Sequence, residues 1–188
     1  MSRHKQIVSV AATSSRRVGR TSPSQAATAS RRHEALRIRA ARATDAPVIA
    51  RFNRAMALET EARKLSPQRV LHGVRALLAD AAKGRYFVAE CDGEVIGQTL
   101  ITYEWSDWRN GNFWWIQSVY VAPAHRGQGV FKALHQHIHQ LARRQKDVCG
   151  LRLYVDGHNA QAKEVYARLG LARTDYELWE EDFHRQTG

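Results

Sequence analysis

Apolar and polar residues first alternate at Leu36-Arg37-Ile38-Arg39-Ala40, the period-two pattern of a strand with one buried face. Thr44 or Asp45 can then cap a helix with Pro47 in its first turn, and Val48, Phe52, Ala55 and Met56 recur at helical spacing. Ser66-Pro67 repeats that start signal. Val70, Leu71, Val74, Leu77, Leu78 and Ala81 predict a second helix, which Gly84 can end. Tyr86 to Cys91 and Glu94 to Tyr103 read as strands joined by Asp92-Gly93, a pair suited to the positive φ angles of a tight hairpin turn. Asn110-Gly111 marks another turn before the strand-like run Phe113 to Val121, which Pro123 stops. Helical spacing returns at Val130, Leu134, Ile138 and Leu141. A buried strand at Leu151 to Val155, a helix from Asn159 to Gly170 through Ala162, Val165, Tyr166 and Leu169, and a last strand at Thr174 to Glu180 complete the pattern. The order β-α-α-β-β-β-α-β-α-β predicts one α/β domain with a mixed, mostly antiparallel central sheet flanked by helices.

Composition changes that picture little. With 188 residues and 44% of them hydrophobic, the chain can bury one core. A net charge of +11 points to nucleic acid until it is divided along the chain. Residues 1–33 hold seven of the 29 basic residues and no acid, which leaves +4 for the remainder. Residues 1–34 are therefore read as a basic tail and residues 35–188 as the domain. The tail has too few large apolar residues to offset its ordering entropy, so it is expected to be disordered. Its Arg-rich, Ser-rich, acid-free make-up also fits an organellar transit peptide or a dispensable extension. A third reading, an RNA-binding arm, lacks aromatic interleaving, and nucleic acid is not an expected partner. Cys91 and Cys149 lack C-x-x-C spacing, so neither zinc nor a disulfide framework is indicated and a reducing cytoplasm is expected. No apolar run reaches the roughly 18 residues of a membrane span.

The constellation that carries chemistry is the segment Val121-Ala122-Pro123-Ala124-His125-Arg126-Gly127-Gln128-Gly129-Val130 between a strand and a helix. Its glycines let the backbone come close to a ligand, and free N–H groups at a helix start favour an anion such as a pyrophosphate. By itself this warrants only an anion site. It lacks the G-x-x-x-x-G-K-[ST] of a nucleotide-hydrolysing loop and the third glycine of a dinucleotide fingerprint.

In this context the chain resembles the GNAT superfamily of N-acetyltransferases. That family's loop reads Gln/Arg-x-x-Gly-x-Gly/Ala after a strand ending in V-x-P, matched by Arg126, Gly129 and Val119-Tyr120-Val121-Ala122-Pro123. Its second motif, an Asn with a Tyr seven residues later on a helix after a buried strand, is matched by Asn159 and Tyr166. The resemblance spans roughly Ile38 to Trp179. At the last loop position, where the family usually has Gly or Ala, stands Phe131, whose N–H can still donate while its ring points into the core.

The resemblance implies acetyl-CoA as co-substrate, bound by an acyl-CoA N-acyltransferase fold. The backbone of Val119 and Val121 would pair with the pantetheine arm like an added strand. Gly127, Gln128, Gly129, Val130, Phe131 and Lys132 would cradle the pyrophosphate, with Asn159 alongside. The Arg126 side chain is read either as a phosphate contact or as an ion-paired surface charge. A neutral primary amine would attack the thioester directly, with a backbone N–H near Val119 at the developing oxyanion. Tyr166 is read as the general acid for the departing thiolate, against the alternative of a core tyrosine. Glu59, Glu61, Glu104 and Gln117 are candidate proton acceptors, and none is assigned. Some relatives place a Glu where this chain has Tyr154.

Glu59, Glu61, Glu104, Trp105 and Gln117 are the candidate acceptor-binding residues. Carboxylates beside aromatic faces suit a small cationic amine, although Trp114 and Trp115 can equally serve to cover the sheet. A protein lysine or N-terminal amine is the alternative acceptor, and a non-catalytic acyl-CoA-binding module the alternative of another class. A homodimer is compatible with the sequence. His135, His137 and His139 invite a metal reading, but no third ligand is placed with the i, i+4 pair and the chemistry needs no metal.

Overall fold

The computed structural model describes residues 36–183. The basic tail of residues 1–34, and with it the targeting and RNA readings, lies outside them. Strand β1 (Arg37–Ala40) leads into helices α1 (Ala46–Glu61) and α2 (Pro67–Leu78). Strands β2 (Arg85–Cys91), β3 (Glu94–Ser106) and β4 (Gly111–Val121) form a meander, followed by α3 (Val130–Arg144), β5 (Val148–Leu153) and α4 (Ala160–Arg168). The strands lie in the order β1-β2-β3-β4-β5, antiparallel except for the parallel β4–β5 pair.

Apolar clusters form on both faces of the sheet. Ile49 and Ala50 of α1 and Val74 of α2 pack on Tyr86, Val88 and Leu100. Val130, Leu134 and Ile138 of α3 and Ala162 and Tyr166 of α4 pack on Phe87, Ile101, Ile116 and Val119. The apolar stripe on α1 is thus wider than the expected one: Phe52 and Met56 are buried, but so are Ile49 and Ala50, while Val48 and Ala55 only border a core.

Local chemistry accounts for several element ends. Ser66 accepts from the Arg69 N–H at the start of α2, as its position predicts. Asp92 and Gly93 have φ of 51° and 78°, the left-handed pair that a two-residue hairpin needs. Asp45 stands at the α1 start, but its carboxylate does not cap the helix. It accepts from Arg39 at 2.7 Å and from the Arg42 N–H at 2.6 Å, tying the β1 exit to the helix.

Three elements differ from the expectation. Helix α2 ends at Leu78, because Asp80 turns the chain by accepting from the Ala82 N–H. Gly84 instead admits β2 to the sheet: at φ 143°, a Cβ there would lie 2.4 Å from the Ile101 carbonyl oxygen. Strand β5 starts at Val148 rather than Leu151 and ends before Tyr154 and Val155, where β4 no longer runs beside it. The last strand expected at Thr174–Glu180 is not a strand. Tyr176 and Trp179 there are 83% and 85% exposed, so no burial offsets the entropy of ordering the segment. Among the described residues no helix is long and apolar enough to cross a membrane.

The Arg39–Asp45 contact has a pH consequence. Burial alone would raise the Asp45 carboxyl, but hydrogen bonds from Arg39 and the Arg42 N–H outweigh it and hold the group below its usual value. A depressed carboxyl stabilises the fold above the unfolded-state pKa of about 3.9, and that stability is lost as pH falls through the folded value. Asp45→Asn is expected to cost roughly 2 kcal/mol at neutral pH and to flatten the decline of stability below about pH 4. Denaturant titrations at several pH values measure both, and identical acid slopes in the two proteins would refute the assignment.

Candidate active site

The parallel ladder between β4 and β5 runs only from Asn112 and Val148 to Ile116 and Leu153. Strand β4 continues beside β3 to Val121, so residues 117–121 carry no β5 partner and the sheet opens there. Ala122 N–H donates to Ile96 O at 2.8 Å on the β3 side. By the alternation of an antiparallel ladder, the polar groups of Val121 then face the opening. A one-residue shift in the β3–β4 register, where Ser118 adopts φ 48°, lies at the same level. An unpaired strand edge of this kind can accept an extended ligand as a further strand.

The loop after β4 brings the next elements to the opening. Gly127 and Gly129 have φ of 74° and 82°, and a Cβ on Gly129 would meet nothing within 4 Å. The first hydrogen bond into α3 runs from Ala133 N to Gly129 O, so the amides of Val130, Phe131 and Lys132 precede it and are available to an anion. The Phe131 ring turns into the core, 5.9 Å from the Tyr166 ring and 6.2 Å from His135. Gln128 uses its side-chain amide locally, on Ala124 O. Asn159 is the N-cap of α4, its carboxamide oxygen accepting from Ala162 N at 2.9 Å.

Tyr166 lies behind this loop on α4, only 4% exposed, and its hydroxyl has no hydrogen-bond partner among the described residues. Burial drives its phenol above the usual range, so the proton stays on oxygen. A buried hydroxyl without a partner is costly in a purely structural role. Tyr166 stands beside the glycine loop and the open strand edge.

Arg126 does not extend over the loop. Its Nε donates to Val121 O at 2.8 Å, its Nη2 meets Glu59 Oε2 at 2.6 Å, and its guanidinium lies over the Tyr120 ring. Tyr120 OH donates to the other Glu59 oxygen at 2.9 Å. Burial, then the Glu59 carboxylate, push the Tyr120 phenol up. An Arg126–Glu59 ion pair is present, and through it Glu59 at the end of α1 is tied to the loop.

The other candidate residues divide between the sheet's faces. On the α1 side, Glu104 accepts from Trp115 Nε1 and from Arg152, the latter at 2.6 Å. Arg152 lies over the Phe113 ring at 3.7 Å, Tyr154 stacks on Trp115 at 4.3 Å, and Gln117 donates to Thr102. Trp105 alternates to the opposite face, where it is 58% exposed, as Tyr103 does against Trp114. Glu61 ends α1, near Glu59 but on no strand of this patch. Glu104, Trp115 and Gln117 therefore share one shelf, which Trp105 does not join. Arg152 was missed because an arginine in a predicted buried strand reads as an interruption. Asn53, Tyr86 and Gln98 were also missed, although a Gln within Val95-Ile96-Gly97-Gln98-Thr99-Leu100 is a visible anomaly in an apolar run.

Burial, with His139 stacked beside it, lowers the His135 imidazole, and among the described residues no three His, Cys, Asp or Glu side chains converge.

Comparison with known proteins gives this arrangement a family. Residues 52–171 match the model of the acetyltransferase (GNAT) family, well over half of the chain. The chain belongs to that family. This GNAT domain is similar to the solved structure of a "possible acetyltransferase" from Clostridium difficile, with 42% identity and a TM-score of 0.76 over 81% of this chain and 100% of that one. Streptothricin acetyltransferase of Streptomyces lavendulae is 36% identical over 92 residues, 48% of this chain and 46% of that protein. Thialysine N-epsilon-acetyltransferase of Bos taurus is 33% identical over 86 residues, 45% and 49% of the two chains. The matched part thus spans about half the length of each of these two relatives.

If Glu59 and Arg126 hold the GNAT loop as one unit, Glu59→Gln and Arg126→Ala should each weaken coenzyme A binding by about 1 kcal/mol, roughly fivefold. The double variant should be no weaker than Arg126→Ala alone. Calorimetric titration with coenzyme A tests this. Weakening by Arg126→Ala with unchanged binding by Glu59→Gln would mean that the arginine acts on phosphate without the carboxylate.

Proposed function

We propose that this domain is an acetyl-CoA-dependent N-acetyltransferase acting on a primary amine of a small molecule. The observation that carries the reading is the buried Tyr166 hydroxyl, without a partner among the described residues, beside the Gly127–Gly129 loop and the open edge of β4. Bound acetyl-CoA would supply the thioester as acyl donor and the thiolate as leaving group. The amides of residues 127–132 would take the pyrophosphate, and the edge groups of Val119 and Val121 would align the pantetheine arm. A backbone N–H at the Ser118–Val119 irregularity would hold the carbonyl oxygen of the group being transferred. Tyr166 holds a proton at its hydroxyl oxygen for the departing sulfur.

The acceptor would enter from the α1 face, over Trp115, Tyr154, Gln117 and the Glu104–Arg152 pair. A small amine is preferred over a protein amine because the two relatives above are named for acetylating streptothricin and the N-epsilon position of thialysine. Glu59 and Glu104 each already accept from an arginine, so neither is assigned as the base. The amine's proton goes to solvent, and the acid limb of the rate profile follows the amine's own ionisation.

The test is thiol release from acetyl-CoA over a panel of amines. Tyr166→Phe is expected to lower kcat by on the order of 100-fold at unchanged coenzyme A affinity. Because burial raises the Tyr166 phenol, its donor form persists wherever the amine is neutral, and wild-type kcat should not fall on the alkaline side below about pH 10. Equal rates in the two proteins would overturn the general-acid role. No thiol release with any amine would overturn the enzyme reading.

A further inference from the structure

A closed ring of polar side chains, buried at Tyr86, Gln98 and Ser118 and half-buried at Asn53, joins α1 to the sheet, outside the side chains assigned to binding or protonation. Gln98 is fully buried in the middle of β3. Its Nε2 donates to Asn53 Oδ1 on α1 at 2.6 Å and to the Ser118 carbonyl oxygen on β4 at 3.3 Å. Asn53 Nδ2 donates to the Tyr86 hydroxyl at 2.9 Å. That hydroxyl also hydrogen-bonds the Ser118 side chain, and burial drives the phenol up against both contacts. Ser118 is thus held at its carbonyl by Gln98 and at its hydroxyl by Tyr86, with Asn53 joining the two.

What the ring holds is an unfavourable backbone. Ser118 is 2% exposed and has φ 48°, a left-handed conformation that a side chain with Cβ resists. The register explains the need for it. Gln98 pairs with Tyr120 and Leu100 with Gln117, so Ser118 and Val119 together oppose Thr99, a bulge with one extra residue on β4. The Thr99 hydroxyl donates to Gln117 O at 3.4 Å while Gln98 takes Ser118 O, so β3 side chains serve both carbonyls at the break in the ladder. The extra residue is left out of the ladder at the level where β5 has parted from β4.

We infer that Gln98, braced by Asn53, is a positioning residue for acyl transfer: acting through Ser118, it fixes the β4 bulge that presents the Val119 backbone to the carbonyl of the transferred group. The inference rests on the acetyltransferase reading above. It differs from a packing role in one respect. A glycine takes φ 48° without penalty, so glycine at 118 should hold the bulge without the ring.

The experiment compares wild type, Gln98→Leu, Ser118→Gly and the Gln98→Leu/Ser118→Gly double variant by thiol release, calorimetric coenzyme A binding and thermal midpoint. Gln98→Leu is expected to lower kcat at least tenfold with the coenzyme A Kd within threefold, and the double variant to recover at least half of that loss on a logarithmic scale. A packing role predicts instead a lowered midpoint in both and no recovery of rate, and that result overturns the inference. So does a Gln98→Leu enzyme as fast as wild type. If Gln98→Leu does not fold, Asn53→Ala with and without Ser118→Gly makes the same comparison, and its crystal structure should show Ser118 leaving the left-handed region. Wild type inactive on every amine is a separate outcome: the enzyme reading fails, and a catalytic role for Gln98 fails with it.

Discussion

Parallel neighbours are joined by a crossover rather than a turn, and the crossover fixes where the two strands begin together without obliging them to stay together. In this chain α3 is the crossover, and β4 and β5 share a ladder for only part of their lengths before they part. The rest of the proposed site depends on that divergence. It leaves one side of β4 without a strand partner next to the glycine loop. It also joins the two faces of the sheet, with Tyr166 packed on one and the Glu104–Trp115–Arg152 shelf on the other. A sheet paired to its end would keep these two groups apart.

Arginine–carboxylate pairs fasten elements of this fold, two of them beside the opening between β4 and β5. Arg39 and Asp45 join β1 to the start of α1, Glu59 and Arg126 join the end of α1 to the loop, and Glu104 and Arg152 join β3 to β5. The last two are partly exposed and so add little to stability. Their effect is on orientation, because a guanidinium held at two or three points restricts both strands or helices that it touches. Arg126, held by Glu59, Val121 and the Tyr120 ring, is the clearest instance. It also means that Glu59 and Glu104 are already engaged by arginines within the protein.

Much of the fold was legible because its signals are local. The Ser66 cap, the Asp92-Gly93 turn, the Pro123 stop and the helical spacing from Val130 each act over a few residues, and each recurs in the structure. The family resemblance rested on the same kind of signal, a loop and a helix with fixed spacing. What could not be read depends on residues far apart in sequence. Asn53, Tyr86, Gln98 and Ser118 meet only once three strands and a helix are assembled, and no spacing announces it. The strand expected at Thr174–Glu180 shows the converse: alternation is a local signal, but a strand also needs a neighbour, and the exposed Tyr176 and Trp179 have found none among the described residues. Trp105 was grouped with Glu104 by adjacency, which in a strand places two residues on opposite faces.

Gly150 carries a consequence for how this site can change over time. The Phe113 ring lies where its side chain would be, 2.7 Å from the ideal Cβ position, and Arg152 rests on that ring on its way to Glu104. A larger residue at 150 displaces the ring, and with the ring goes the surface that steers the guanidinium. Substitutions at 113, 150 and 152 are therefore coupled, and a lineage altering this shelf would have to move through them in concert, with a smaller ring site before a larger residue on β5.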